Sequence, residues 1–589
     1  MRPLYPSYCR LWGRILRVRG ELQPSTLEAL REAGVGPAEF LSGFLGSLLL
    51  PFLPLLPLAV LALLGLAPFL WYLPLLSLSL SLLLGLLVYL HPMRLRGLRL
   101  REAREEAVNT VMVLSFALHS RPDLRGAVLQ AASGRGKLAE DLRRGMVEVD
   151  RRRYGSTREL LTRLAGEWGE VDEGVRAALF DLLRSTGERE EAMRLRDLSR
   201  APERLLESRE VSLERELGQL VPLTSAFVVF GSLLIVAGIG LSPLFGMVGM
   251  GLGLRFFLPL CLLVLLSFWV FCLYASGRRP PVLPSPEPSR HRSGGLPLLA
   301  SALLFLLLSS PVLLGLRGSS LWVIWGAAGA FCLYATLSLG PRARLREEER
   351  RKLRDWEVAF STVGSRMLDG KSMREALRET AELMRGSELS RELEEVVRAQ
   401  ERLGLGLEEA LFGRGRLGER IRSPLVRSFL RIILEVRRAS EQAAGRACML
   451  AGEFLEMLRG VERRFREKME ESLGNLSLMA TLLIPLVCSL SLWSVDLLSG
   501  VSLTMRERAA AAGLGYPSLL PGLVEAGELV ILRLVLGLTS LLLALLLAWY
   551  LSALRGGGEV EFLLTARRMV LVSALVFTLS HLLLSALSL

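Results

Sequence analysis

Histidine and cysteine are scarce in this chain, and neither is arranged for chemistry. Four histidines (His91, His119, His291 and His581) are scattered over 589 residues with no spacing that would gather them on a metal. Six cysteines (Cys9, Cys261, Cys272, Cys332, Cys448 and Cys488) contain no C-x-x-C pair and form no disulfide framework; four of them fall inside hydrophobic blocks, where cysteine behaves as a small apolar residue. Alternation of period two is also missing, so no sheet is expected. With no metal, cofactor or catalytic constellation in view, the chain reads as a non-enzyme.

Hydrophobic residues, by contrast, make up 51% of the chain and raise its mean hydropathy to +0.40, above what a soluble globular chain carries. They are concentrated in blocks of about 20 or more residues, nearly free of charge, long enough to cross a bilayer as helices. Nine spans are predicted: 41–66, 68–90, 219–244, 256–276, 296–316, 320–340, 474–496, 529–553 and 569–589. Trp71, Tyr72, Trp269, Trp322, Trp325, Trp493, Trp549 and Tyr550 stand near span ends, as an aromatic belt requires. The first span is not a signal peptide, because forty polar residues precede it and a second span follows directly.

The net charge of +13 follows from orientation rather than from nucleic-acid binding. With a cytoplasmic N-terminus, the segments 1–40, 91–216, 277–295, 341–473 and 554–568 lie inside and hold 67 of the 72 Lys and Arg residues. That asymmetry is the positive-inside rule, and it sets the C-terminus outside a multi-pass cytoplasmic membrane protein. The two large charged segments also carry many Asp and Glu residues, so no nucleic-acid partner is expected.

The chain is built twice. A pair of spans, a charged helical segment and a further hydrophobic region occur from 41 to 276 and again from 296 to 553, joined by a linker at 277–295 rich in Pro, Ser and Arg. An offset of 249 residues aligns Leu124-Arg125-Gly126-Ala127-Val128 with Met373-Arg374-Glu375-Ala376-Leu377, Gly155 and Glu159 with Gly404 and Glu408, and Phe180 with Phe429. Further along the register slips, and Pro222 corresponds to Pro485. The expected organisation is an N-terminal segment (1–40), a transmembrane hairpin (41–90), a first bundle (91–216), a transmembrane pair (217–276), the linker (277–295), a second hairpin (296–340), a second bundle (341–473) and three final spans (474–589).

Both charged segments are helical by period, giving an all-α fold class: a polytopic membrane protein with about nine transmembrane helices and two duplicated cytoplasmic helix bundles. In the second segment Trp356, Ala359, Phe360, Val363 and Met367 define a one-faced helix. Asp369-Gly370-Lys371 then turns the chain, and Ser372-x-x-Glu375 is a capping box opening the next helix, with Ala376 and Leu377 on its apolar side. Leu425, Phe429, Ile432, Ile433 and Val436 form the cleanest apolar stripe. Gly364 through Lys371-Ser372 resembles a phosphate-binding loop, but its first glycine is one residue too early and a helix, not a strand, runs into it. The helix 446–473 carries Leu450, Phe454, Met457, Val461, Phe465 and Met469 on one face and enters the seventh span without a proline. Its Arg463, Arg464, Arg466 and Lys468 are candidate partner contacts, and Gly474-Asn475 is the expected flexible point. A polytopic transporter or channel with regulatory helical domains is the alternative. The spans hold almost no ionisable groups, however: Asp496 and Arg533 lie near outer ends, and His581 stands alone.

The motif Arg366-Met367-Leu368-Asp369-Gly370-Lys371-Ser372-Met373-Arg374-Glu375-Ala376-Leu377, followed by Gly404-Leu405-Gly406-Leu407-Glu408-Glu409-Ala410-Leu411, resembles the F-protein family of type II secretion and type IV pilus machines. With two bundles and about nine spans, the chain is most similar to the archaeal members, the platforms of archaella and archaeal pili. The first bundle departs from the pattern, with Arg121-Pro122-Asp123 in place of the Gly turn. The resemblance implies a platform that hydrolyses nothing itself. It would couple a hexameric secretion ATPase to pilin-like subunits leaving the lipid bilayer, and it is compatible with a homodimer.

Overall fold

The computed structural model describes residues 4–16, 18, 20, 22–23, 26–27, 29–30, 34–51, 73–134, 136–240, 254–277, 296–313, 320–511 and 526–587. Among them there is no strand. Helix α1 (Leu4–Leu16) packs on α2 (Pro37–Leu49). A small core of Tyr5, Cys9, Leu30, Val35 and Phe40 closes around Val88 of α3 (Leu73–Ser120). Helix α3 is apolar up to Leu90 and charged from Arg94 onward, so one unbroken element leaves an apolar layer and enters a polar one.

The polar half of α3 begins the first bundle, continued by α4 (Leu124–Ala132), α5 (Lys137–Asp150), α6 (Thr157–Gly169), α7 (Glu173–Ser185) and α8 (Glu191–Gly240). Short polar side chains start most of the short helices. Asp123 accepts from the Arg125 N–H, Ser156 from Glu159 and Asp172 from Gly174, each cap contributing about 1 kcal/mol. The C-terminal half of α8 is apolar and returns to the layer where α3 began. Helices α9 (Leu254–Gly277) and α10 (Leu296–Leu313) follow within it.

The second half repeats this order. Helix α11 (Ser320–Leu368) runs from apolar to polar, then come α12 (Met373–Leu383), α13 (Glu388–Leu403), α14 (Leu407–Phe412), α15 (Leu417–Arg420), α16 (Pro424–Arg437) and α17 (Glu441–Leu478). A π-turn (Met479–Leu483) joins α17 to α18 (Ile484–Ala511), and α19 (Ala526–Leu554) and α20 (Glu559–Leu587) complete the chain. Helix starts recur in parallel: the N-caps Asp123, Gly136, Ser156 and Asp172 correspond to Ser372, Ser387, Gly406 and Ser423, at separations of 249, 251, 250 and 251 residues.

Those separations correct three expected matches. With Ser156 and Gly406 as equivalent caps, Gly155 stands opposite Leu405 and Glu159 opposite Glu409. With Asp172 and Ser423 as equivalent caps, Ala178 stands opposite Phe429, and Phe180 opposite Arg431. Phe180 is 42% exposed beneath the Arg176 guanidinium, whereas Phe429 is fully buried. The second bundle has gained two residues between Ser372 and Ser423, enough to rotate the register by about 200° at 3.6 residues per turn.

Six helices among the described residues are long and apolar enough to cross a membrane, and two shorter apolar ones, Leu260–Ala275 and Pro297–Ser310, accompany them. This is the arrangement of a multi-pass membrane protein. The expected count of nine is not reached: most of span 41–66, the start of span 68–90 and nearly all of the linker 277–295 lie outside the described residues. Equivalent helices of the two halves pack on each other in the apolar layer, α8 against α18 and α9 against α19. Thr224 and the Tyr550 hydroxyl share a buried hydrogen bond there (2.9 Å), beside the rings of Phe227, Phe268 and Phe271. Helices α3, α8, α11 and α17 all carry their polar parts to the same side, where the two bundles dock.

Candidate functional site

The turn between α11 and α12 is fully specified by local chemistry. Gly370 sits at φ +89°, a region costly for any side chain but open to glycine. Ser372 accepts from the Glu375 N–H (3.4 Å) and Glu375 accepts from the Ser372 N–H (3.1 Å), so the expected capping box is present. Ala376 and Leu377 are buried in the core (0% and 6% exposed). Lys371 pairs with Glu379, and its hydrogen bond holds that carboxyl below the usual range. Glu441 at the start of α17 accepts from the Met373 N–H (3.2 Å), fastening the turn to the last helix of the bundle. Gly370, Lys371, Ser372, Met373, Glu375, Ala376 and Leu377 therefore each have a folding role.

Gly364, the first glycine of the near-phosphate loop, lies inside α11 rather than in a loop. A Cβ there would come within 2.7 Å of the Met449 backbone nitrogen and 2.8 Å of the Gly445 carbonyl oxygen, so the glycine permits α11 and α17 to cross at close range. At the corresponding crossing of the first bundle, Ser115 of α3 donates to the Leu198 carbonyl of α8 (2.6 Å). The glycine serves helix packing in one half where a serine bridges in the other.

The seam between the bundles combines aromatic and polar contacts from both halves. Phe116 of α3 meets Phe429 of α16 (ring centroids 4.4 Å) and Phe454 of α17 (6.2 Å), all three buried. Just beyond, Arg121 donates to a Glu435 carboxylate oxygen (3.2 Å) and to the Glu435 carbonyl (2.6 Å), and Gln130 donates to the other carboxylate oxygen. The Arg-Pro-Asp turn that replaces the glycine turn in the first bundle thus latches onto the second. Along α8 and α17, Arg464 pairs with Glu210 (3.4 Å), and Lys468 with Glu210 (2.6 Å) and with Glu214. The Lys468 hydrogen bond pulls the Glu210 carboxyl below its ordinary value.

Of the four candidate contact cations, then, Arg464 and Lys468 face the seam. Arg463 pairs with Glu467 (3.5 Å) and Arg466 with Glu462 (3.2 Å) on the outer surface of α17. Sequence reasoning missed Phe116, Arg121, Glu435, Glu210 and Glu214. The one available signal was the replaced turn at Arg121-Pro122-Asp123.

Helix α17 buries the expected face, with Leu450, Phe454, Val461, Phe465 and Met469 each 9% exposed or less. It does not break at Gly474-Asn475: the helix continues to Leu478, and its irregularity is the π-turn one turn later. Pro485 explains the displacement, because it has no N–H to offer the Thr481 carbonyl. In the apolar layer His581 on α20 is buried (5% exposed), and the charge of Arg533 on α19 reaches both it and Asp496 on α18.

Beside the seam, His119 supplies a pH-dependent element. Burial, then the nearby Arg194, lowers it to about 4, and its Nδ1 is enclosed without a partner. The neutral ring is the folded form, so its contribution is complete above the unfolded value near 6.5 and is lost as pH falls toward 4. That loss is on the order of 3 kcal/mol. The thermal midpoint of the purified chain should fall less between pH 7 and pH 4.5 in His119→Gln than in the parent; equal slopes would contradict this.

No protein-family model matches the chain, and neither the curated proteins nor the solved structures offer a match.

Proposed function

We propose that this chain is a non-enzymatic platform of a type IV pilus, archaellum or type II secretion-like machine, coupling a hexameric secretion ATPase to the assembly of pilin-like subunits. The observation that carries the reading is the continuity of four helices, α3, α8, α11 and the α17–α18 rod, between docked polar bundles and an apolar layer. A motor pushing on the bundles would move membrane helices, since the long helices run on through Pro92, Pro202 and Pro222 and change form at the π-turn. The excess of Lys and Arg in the bundle segments supports a cytoplasmic location for them. The family motif at Arg366–Leu377 supports the same assignment, although its residues act as turn, cap and core.

The second reading, a polytopic transporter, is favoured by Asp496, Arg533 and His581, because ionisable groups inside a membrane often mark a solute path. A transporter would move solute in proteoliposomes containing the purified chain alone; a platform would not.

The test of coupling is a break in α17 that spares the seam. Arg463 and Glu467 are exposed and pair only with one another among their recorded ion pairs. Arg463→Pro with Glu467→Pro should disrupt the rod at about 3 kcal/mol per proline, leaving Arg464 and Lys468 in sequence. Cells carrying the variant should retain ATPase co-purification with the membrane-embedded chain but assemble no filaments. Normal filaments from a variant whose rod is cut by protease at the new site would refute coupling through α17.

A further inference from the structure

Helix α1 has more apolar surface than its fold uses. Tyr5 and Cys9 face inward and are buried, while Tyr8, Leu11, Trp12 and Ile15 recur at i, i+3, i+4 and i+7 as a second stripe beside them. Leu11 and Ile15 on that stripe are 56% and 62% exposed. Arg10 and Arg14, one helical turn apart and both exposed, flank it. Residues 1–20 contain five arginines and no acidic residue; the first is Glu21.

The location of α1 supplies the second observation. The Tyr5 hydroxyl donates to the Val88 carbonyl (3.2 Å), and its ring lies 4.4 Å from that of His91. Val88 to His91 is where α3 leaves its apolar run, before Arg94. On the other side Cys9 abuts Gly43 and Trp12 lies over Gly46 of α2, which runs alongside the apolar part of α3: Ser81 donates to the Leu48 carbonyl. Helix α1 is therefore held at the boundary of the apolar layer, on the side of the two bundles.

We infer that α1 is an interfacial helix that seats on anionic lipid headgroups at the bundle-side face of the bilayer. Leu11 and Ile15 enter the headgroup–acyl boundary, Tyr8 and Trp12 stand at headgroup level, and Arg10 and Arg14 meet lipid phosphates. The charge argues for this occupant. Helix α1 itself carries an exposed apolar stripe, Arg10 and Arg14 and no acidic residue, and the carboxylate packed against it, Glu39 of α2, lies at Gly13, so the exposed side of the helix complements an anionic leaflet. Seated this way, α1 fixes the height and tilt of α3 at the point where that helix enters the first bundle.

The full-length chain in proteoliposomes tests the inference. Leu11→Cys, Ile15→Cys and, as the aqueous reference on the first bundle, Arg144→Cys (side chain 72% exposed) are each labelled with a small fluorophore. Five of the six native cysteines are buried and Cys332 is half-buried, so the parent chain treated alike gives the background. Vesicles of phosphatidylcholine alone are compared with equal parts phosphatidylcholine and phosphatidylglycerol. The label at Leu11 or Ile15 should be quenched by lipid-borne bromine and shielded from aqueous iodide, more so with phosphatidylglycerol. The label at Arg144 should show the reverse. Arg10→Glu with Arg14→Glu should abolish the preference, a change of about tenfold or more in accessibility for two reversed charges at the surface. Iodide quenching at Leu11 equal to that at Arg144 would overturn the inference. So would shielding that is the same in both lipids, or shielding from bromine and iodide alike, which would mean that a second copy of the chain covers the stripe. A label at Leu303 on α10 is the reference: if it too is reached by iodide, the multi-pass reading fails rather than the assignment of α1.

Discussion

Phe429→Asp is expected to cause the largest loss of stability of any single change in the polar part of the molecule. The side chain is fully buried, packs on Phe116 of the other bundle and lies near Phe454. Aspartate removes an aromatic ring at the centre of the seam and leaves a carboxylate with no cation in contact. Lost burial with its cavity and an unpaired buried charge each cost several kcal/mol, so a total on the order of 5 kcal/mol or more is expected. Thermal unfolding of the detergent-purified chain should show either a markedly lower midpoint or aggregation during purification. Phe429→Leu, which keeps the apolar contact, should cost only about 1–2 kcal/mol. Phe116→Asp should reproduce the aspartate effect from the other side, and the double variant should cost less than the sum, because one contact is being lost twice. A parent-like midpoint for Phe429→Asp would mean that the bundles do not dock through this aromatic group.

The second large effect lies within the first bundle. Arg209 of α8 and Asp172, the N-cap of α7, form an ion pair at 2.6 Å with side chains 5% and 8% exposed. Arg209 also donates to the Arg104 carbonyl (2.9 Å), and Arg104 to the Val171 carbonyl (2.9 Å), so three helices are tied at one knot. Burial pulls the Arg209 guanidinium below its ordinary value, and Asp172 opposes that shift. Arg209→Met keeps the volume but strands the carboxylate and the carbonyl, and should cost about 3–5 kcal/mol. Arg209→Lys, which keeps the charge and loses the forked geometry, should cost less. The thermal midpoints should fall in the order parent, Arg209→Lys, Arg209→Met. If Arg209→Met matched the parent, the pair would have no part in holding α7 to α8.

What the sequence made legible was whatever repeats along one element or closes within a few residues. The apolar stripes at Trp356–Met367, Leu425–Val436 and Leu450–Met469 are the buried faces of α11, α16 and α17, because helical period alone determines which side chains share a face. The Ser372–Glu375 box was readable because both of its hydrogen bonds lie within four residues. Contacts between elements left no such trace. Glu435, Glu210 and Glu214 look like ordinary solvated helix charges until α16 meets α3 and α17 meets α8, and Arg464 and Lys468, expected to contact a separate partner, pair instead with the first bundle. The Trp356–Met367 stripe puts Gly364 on a helix, as the structure has it, but its role in the close crossing with α17 could not be read, because a tight helix crossing depends on the partner helix. The register of Phe180 failed for a related reason: two residues gained between motifs change no motif, yet they turn a helix face. Arg533 and His581 are 48 residues apart in sequence, and the charge of one reaches the other only once α19 and α20 pack.

The most direct test of a platform role is motor binding. The full-length chain, embedded in bilayer nanodiscs, would be titrated with a labelled hexameric secretion ATPase encoded by the same genome, with empty nanodiscs as the reference. The account predicts saturable binding through the bundle side, weakened at least tenfold when Phe429→Asp unlatches the two bundles in chain that remains membrane-embedded. Binding no greater than to empty nanodiscs, with the parent chain folded and the ATPase active, would contradict it.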